Sequence, residues 1–386
     1  MKNDIKKVLI TGGAGFIGSH TADLLLKKGY QVRILDKLCE PVHQNDEWPT
    51  YLDKRIEKIK GDVAIKKDWL KALDGVDAVI HLAAYQDLLP NFTRFFEDNA
   101  KGTALLYDII VNEKLPIKKV VVASSQFVYG QGKYINKNGQ EVFAKDRKEE
   151  DLQNAIWEPR DPNTFELGLT PAQNSEDHQD PSNQYSISKY TQELIALKLG
   201  RNYNIPSVAM RYSIVQGARQ SFKNAYSGVL RLFTLKALAG EEPSIYEDGQ
   251  QLRDYVHVND VAAANVAVME DERANYENFN VGGGKGYTVI EFAKIVAAAT
   301  GRDDWTLKPN AQYRVGDTRH SISDISKLKS LGWNPTKTPK EAVEEYVAWL
   351  KTQDVDFSIL QKSEALMKKM GALRGSKDAD QNSAKK

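Results

Sequence analysis

The chain has 386 residues, of which 41% are hydrophobic and 27% charged, with a single cysteine, Cys39. That is enough apolar material for a large core in one or two domains, and it excludes a disulfide framework or a cysteine zinc site. The 53 basic and 52 acidic residues leave a net charge of +1, which argues against a generic nucleic-acid or membrane surface.

Met1 to Asp4 runs straight into a strand. No leader-like segment precedes it and no apolar run is long enough to cross a bilayer, so a cytoplasmic protein is expected. Ile5–Ile10 is apolar and ends at Thr11-Gly12-Gly13-Ala14-Gly15-Phe16-Ile17-Gly18. A helix follows, with Ala22, Leu25 and Leu26 inward and Gly29 after its end. Val32–Leu35 is a second buried strand that ends at Asp36. Strand, glycine turn, helix, strand and acid in this order predict a dinucleotide site. Glycines let the backbone approach a pyrophosphate, whose charge sits at the helix N-terminus, and the acid accepts from the ribose hydroxyls. Gly12, Gly15, Phe16, Ile17 and Asp36 are therefore candidate cofactor contacts. Asp36 would repel a 2′-phosphate and favours NAD over NADP, whereas Lys37 would suit one. The plain alternative is a tight strand-to-helix turn without a ligand.

The alternation continues. Ile56–Lys60 is a third strand ending at Gly61-Asp62-Val63, and Val76–Leu82 a fourth, ending at His81-Leu82-Ala83-Ala84. Residues 92–112 read as a helix and Val120–Ser125 as a fifth strand. Repeated strand–helix units predict an α/β fold, a doubly wound parallel sheet with ligands beyond the carboxyl ends of its strands. Asp36, Asp62, His81 and Ser125 fall at such ends, although His81 reads as a packing or hydrogen-bonding residue more than a catalyst.

Residues 131–183 are polar and longer than an ordinary loop. Trp157, Phe165 and Leu167 are candidate anchors for this insertion, which is either a flap over a binding site or a surface excursion. Pro181, Ser182 and Asn183 then signal a helix start, and Gly200 a stop. On that helix Tyr185 and Lys189 are four apart and share a face. A lysine beside a phenol lowers the phenol pKa from about 10, giving a base usable near neutral pH. A partly buried tyrosine beside a solvated lysine is the alternative.

Ser207–Tyr212 is a sixth strand. From about residue 215 the alternation loosens into a smaller lobe. It contains a helix at Gly228–Ala239, short strands at Ser244–Tyr246 and Leu252–Val258, and a helix opened by Asn259 or Asp260 that runs through Met269. A capping box, Thr288–Glu291, starts a helix to Ala299, and an amphipathic helix spans Lys340–Leu350. Phe357–Met370 reads as one more helix, and Gly375–Lys386 as a polar, disordered tail. The expected division is 1–214 with the 131–183 insertion, a lobe at 215–355 with the chain free to cross between the two, and a helix and tail at 356–386.

Several motifs occur together and in order: the glycine turn Thr11–Gly18, His81-Leu82-Ala83-Ala84, Ser124-Ser125-x-x-Val128-Tyr129-Gly130, Tyr185-x-x-x-Lys189, Arg253-Asp254-Tyr255-Val256-His257-Val258 and Asn280-Val281-Gly282. Over roughly residues 5–350 the chain resembles the extended short-chain dehydrogenases/reductases, specifically their nucleotide-sugar epimerase/dehydratase group. The resemblance implies a Rossmann domain with a smaller C-terminal α/β substrate lobe, NAD as cofactor and a nucleoside-diphosphate sugar as substrate. It also implies a homodimer formed through the helices at 92–112 and 184–199. No metal site, nucleic acid or membrane partner is implied. To the cofactor contacts it adds Asp62, Val63, Leu82, Ala83, Ala84, Asn99, Ser124, Tyr185 and Lys189. At the substrate it places Ser125, Gln126, Asn224, Tyr246, Arg253, Arg314 and Asp317. Among these, Asn224, Arg253 and Arg314 would meet the diphosphate, Tyr246 would lie near the base, and Asp317 would meet the nucleoside ribose. Guanidinium forks suit phosphate oxygens. Ile214 stands where members of the group often carry a substrate-contacting asparagine, so no such contact is assigned.

The chemistry so implied is reversible oxidation at one sugar carbon. Tyr185 takes a hydroxyl proton, Lys189 holds the phenolate, Ser125 hydrogen-bonds the same oxygen, and hydride passes to NAD. In an epimerase the keto-sugar turns over and takes the hydride back on its other face. Dehydratases of the group carry Asp-Glu just after the position of Ser125, because eliminating water needs an acid and a base. Gln126 and Phe127 stand there and exchange no proton. The reading is therefore an NAD-dependent epimerase, with C4 the group's commonest position and uridine or thymidine the leading bases. Reduction and decarboxylation are less clearly excluded. A catalytically idle NAD-binding regulator is the rival from another class, and the joint presence of Ser125, Tyr185 and Lys189 counts against it.

Overall fold

The computed structural model describes residues 4–43, 46–87, 90–224, 228–360, 365 and 369–377. Its central sheet is built from β1 Lys7–Thr11, β2 Gln31–Asp36, β3 Glu57–Lys60, β4 Ala78–His81, β5 Lys119–Ser125, β6 Ser207–Tyr212 and β7 Asn278–Val281. The order is β7-β6-β5-β4-β1-β2-β3, and every pairing is parallel. Every residue of β4, β5 and β6 is buried, as a sheet covered by helices on both faces requires. The order reverses between β1 and β4, where a doubly wound sheet opens its ligand crevice. This is the predicted α/β architecture.

Helix α1, Phe16–Lys27, leaves the glycine turn and lies close against it. A Cβ on Gly18 would stand 2.3 Å from the Gly12 carbonyl oxygen, so only glycine permits this approach. The helix at 92–112 contains a π-helical stretch, Phe96–Lys101. The helix bearing Tyr185 and Lys189 is capped by a reciprocal Asn183–Ser186 box and starts at Gln184. It passes through a second π stretch, Ile195–Leu199, and continues to Asn202. Gly200 therefore does not stop it. Its role is clearance, since a Cβ there would lie 2.5 Å from Ser207 Oγ.

In the smaller lobe, helices Gly228–Leu238, Val289–Thr300 and Pro339–Leu350 enclose a core that includes Phe233, Phe292, Val343 and Tyr346. Beside them Ile214–Gln216, Leu252–His257 and Gly286–Thr288 form a three-stranded sheet. The Thr288–Glu291 capping box is present. The helix Val258–Glu270 is opened by His257, whose ring accepts from Asn259 N, and not by Asn259 or Asp260. Ser244–Tyr246 forms no strand: only Ile245 makes an isolated bridge, to Pro309. After this lobe begins, the chain returns to the first. The Val258–Glu270 helix packs along α1, and β7 completes the large sheet.

In the 131–183 segment, Lys133–Ile135 pairs with Glu141–Phe143 and Thr170–Pro171 around Tyr134, Val142, Ala144 and Leu169. Trp157 is buried against Tyr313. Phe165 and Leu167 are exposed and anchor nothing; buried ion pairs do that work, as described below. Half of the helix expected at Phe357–Met370 lies outside the described residues; of the rest, 358–360, 365 and 369 are helical. Most of the expected disordered tail also lies outside the described residues, although Leu373–Gly375, where that tail was to begin, forms a strand paired with Gln312–Arg314.

Candidate active site

A cavity of about 680 Å³ opens beyond the carboxyl ends of β1, β2, β4 and β5 and extends into the smaller lobe. One half is built on the glycine turn. Gly12 has a positive φ of 66°, and a Cβ on it would lie 2.9 Å from Ala83 N. Gly15 precedes α1 with no side-chain cap, which leaves first-turn N–H groups to receive an anion. Phe16, Ile17, Asp36, Asp62, Val63, Leu82, Ala83, Ala84 and Ser124 line this half. The Asp36 carboxylate is set in place by Ala14 N at 3.0 Å and Leu38 N at 2.9 Å. Lys37 pairs with Asp62 at 2.5 Å, which draws the nearest cation toward that acid.

Asn99 is outside the cavity wall. It is fully buried, accepts from Tyr85 N at 2.8 Å, and donates to Tyr85 O at 3.1 Å and Ser188 Oγ at 2.9 Å. It ties the loop after β4 to the Tyr185 helix. His81 is also structural, bonded to Thr11 Oγ1 at 2.6 Å and Thr103 Oγ1 at 3.1 Å. Burial, helped by the nearby Lys189 charge, lowers its pKa to about 3 and keeps it neutral.

Between the halves stand Ser125, Tyr185 and Lys189, all in the cavity wall. Ser125 ends β5, and its Oγ accepts from Phe127 N at 3.2 Å. The Tyr185 ring meets Phe127 and Phe95 edge-on, with centroids 6.2 and 6.5 Å away. Lys189 is buried and donates to Gln192 Oε1 at 2.6 Å. Burial pulls its pKa down from 10.5 to about 7. Gln126 follows Ser125 and accepts from Ser321 Oγ at 2.9 Å, which fixes its amide.

The far half holds Asn224, Tyr246, Arg253, Arg314 and Asp317. Arg253 donates to Asp317 Oδ2 at 3.2 Å and to Arg319 O at 2.9 Å. The Arg314 guanidinium lies over the Tyr246 ring, 5.3 Å from its centroid, and its buried Nε has no partner among the described residues. Ile214 also lines the wall, where it offers no hydrogen bond.

Residues 8–151 and 166–282 match the model of the NAD dependent epimerase/dehydratase family. The chain belongs to that family. It is 30% identical over 359 residues to dTDP-L-rhamnose 4-epimerase from Burkholderia thailandensis, covering 92% of this chain and 97% of the relative. It is 31% identical over 357 residues to a putative UDP-glucose 4-epimerase from Methanocaldococcus jannaschii, covering 90% and 99%. Among solved structures, the UDP-glucose 4-epimerase of Thermotoga maritima with UDP-glucose superposes with a TM-score of 0.71 at 29% identity, covering 89% of this chain and 98% of that one. The family match leaves out 152–165, part of the long polar segment.

The glycine-lined half of this epimerase/dehydratase site fits NAD. It has a turn that a Cβ would fill at Gly12, uncapped N–H groups at Gly15 and a carboxylate at Asp36 on the end of β2. Sequence reasoning missed other parts of the site. Leu360 and Ala372 line the far half; Ala372 stands there because the strand Leu373–Gly375 folds back along Gln312–Arg314. Glu193, on the helix that bears Tyr185, and Arg211, on β6, form a buried pair 2.6 Å apart, and Ser124 Oγ also donates to Glu193, at 2.9 Å. The only signal for that pair was a charge at a position where periodicity expects burial.

Proposed function

We propose that this chain is an NAD-dependent epimerase of a nucleoside-diphosphate sugar, acting at C4 with Tyr185 as base. The observation that carries the reading is one cavity that joins the glycine turn to Arg253 and Arg314, with Ser125, Tyr185 and Lys189 between them and no proton-exchanging group at Gln126 or Phe127. The related 4-epimerases point the same way.

The two arginines grip the diphosphate and leave the sugar free to turn. Tyr185 accepts the C4 hydroxyl proton, and Lys189 in its protonated form stabilises the phenolate. Ser125 Oγ donates to the C4 oxygen as it becomes a carbonyl. NAD, when bound, takes and returns the hydride. After the sugar turns over within the clamp it presents the opposite face of C4 to the returning hydride, and Tyr185 gives the proton back to the C4 oxygen. Gln126 and Phe127 supply no acid–base pair for elimination, which separates this reading from a dehydratase.

A homodimer and a cytoplasmic location belong to the same reading. Phe92, Phe96, Ile187 and Leu194 are exposed apolar residues on the two helices expected at the dimer interface, and the lone cysteine suits a reducing compartment. Sedimentation as a monomer at micromolar concentration would count against the dimer.

The decisive experiment incubates the protein with a panel of nucleotide sugars, without added cofactor, and follows it by proton NMR. Interconversion of two C4 stereoisomers, lost in Tyr185→Phe, is expected. A stable 4-keto-6-deoxy product, or unchanged turnover in Tyr185→Phe, would overturn the proposal.

A further inference from the structure

The 131–183 segment is fastened to the substrate half of the cavity by charge, buried at Arg147, Glu247 and Arg319 and half-buried at Glu158. The Arg147 side chain is 2% exposed. Its guanidinium grips both carboxylate oxygens of Glu247, at 2.9 and 3.0 Å, and donates to Asp317 O at 2.9 Å and Trp157 O at 3.1 Å. Glu158 accepts from Arg319 Nε at 2.8 Å and bonds His320 Nε2 at 2.9 Å. The other ring nitrogen of His320 accepts from Leu252 N at 3.1 Å, one residue before Arg253. Arg319 closes the circuit on Glu247 at 2.8 Å.

Arg147 and Glu158 do not themselves line the cavity, but Tyr246, Glu247, Arg253 and Asp317 do. Glu247 follows Tyr246 and holds a positive φ of 53°, a backbone state that needs support from its surroundings. Bidentate arginine–carboxylate pairs fix direction as well as distance, and the terminal nitrogens of Arg147 are all engaged here, its buried Nε alone having no partner among the described residues.

We propose that the 131–183 segment is a positioning clamp for the nucleotide half of the substrate. In it Arg147 and Glu158 are positioning residues that set where Tyr246, Arg253 and Asp317 stand before a nucleoside diphosphate enters. The inference rests on the nucleotide-sugar reading above. It also separates the two ligands, because none of these contacts reaches the glycine-turn half.

The test is calorimetric titration of UDP and of dTDP into the full-length wild type, Arg147→Gln and Glu158→Gln. NAD titrations and urea midpoints are measured on the same preparations. Affinity for the diphosphate that the wild type binds should fall about 10- to 100-fold in both variants, with NAD affinity unchanged. Should Arg147→Gln fail to fold, Arg147→Lys keeps the charge without the fork and should show an intermediate loss. Unchanged diphosphate affinity in folded variants overturns the clamp. A parallel loss of NAD affinity does so too, because it would show general loosening. A wild type that binds neither diphosphate overturns the nucleotide-sugar reading and the clamp with it.

Discussion

Lys189→Met should stabilise the protein while abolishing its activity, and the stabilisation should vanish with rising pH. Lys189 is fully buried, and its pKa falls from 10.5 to about 7. That fall corresponds to a penalty of about 5 kcal/mol on the charged form, an upper bound. Below pH 7 the folded and unfolded chains both hold the proton, and the full penalty applies. Between pH 7 and 10.5 the unfolded chain keeps a proton that the folded chain has released, so wild-type stability rises with pH. Above 10.5 the penalty is gone. The variant carries no such proton. Its loss of the bond to Gln192 leaves a buried acceptor unpaired, at about 1–3 kcal/mol, but that offset does not depend on pH. At pH 6 the variant should therefore be about 2–4 kcal/mol more stable than the wild type, with the advantage shrinking and then reversing toward pH 10. Urea denaturation of nucleotide-free protein at pH 6, 8 and 10 measures this. A stability difference that stays flat across that range would refute the reasoning. Turnover should be lost throughout, because the charged lysine that burial penalises is the one the phenolate needs.

Arg211→Met leaves the Glu193 carboxylate buried beside Ser124 without its cation. It should cost about 3–5 kcal/mol in a urea titration. Gly18→Ala places a methyl group 2.3 Å from Gly12 O and 2.7 Å from Gly13 Cα, both backbone atoms. It should lose about 1–3 kcal/mol of stability, and calorimetry should show a still larger loss of NAD affinity as α1 is pushed off the glycine turn. Asp36→Ser removes the carboxylate at the end of β2. NAD affinity should fall by the equivalent of about 1.5–3 kcal/mol while affinity for the 2′-phosphorylated dinucleotide rises; titration with both cofactors gives the ratio.

The sequence was most readable where one local device dictates one shape. The glycine turn, the acid at residue 36, the apolar strands and the Thr288 capping box each carry a short-range physical cause, and the structure holds each of them. Tyr185, Lys189, Ser125, Arg253 and Arg314 come from distant segments, yet they line one cavity. What periodicity could not show was charge used as a core. Arg147, Glu247, Arg319 and the part-exposed Glu158 look like solvated residues in sequence, so the apolar Trp157, Phe165 and Leu167 stand out as anchors; Trp157 is buried, while Phe165 and Leu167 are exposed. Gly200 had the position of a helix stop, but the nearby Ser207 side chain gives it another reason to be glycine. Asn99 spends its amide on Tyr85 and Ser188, long-range partners that no local pattern in the sequence shows.

The return of β7 to the edge of the large sheet has a consequence for engineering. The two lobes are not separable cassettes, because the last strand of one is encoded after half of the other. Cutting the chain near residue 214 would leave β6 as a bare edge, with Arg211 at its open side and the paired groups of Asn278–Val281 missing. A graft that exchanges the substrate lobe for another must therefore replace two separate stretches of chain and keep the helix and strand at 258–281 between them.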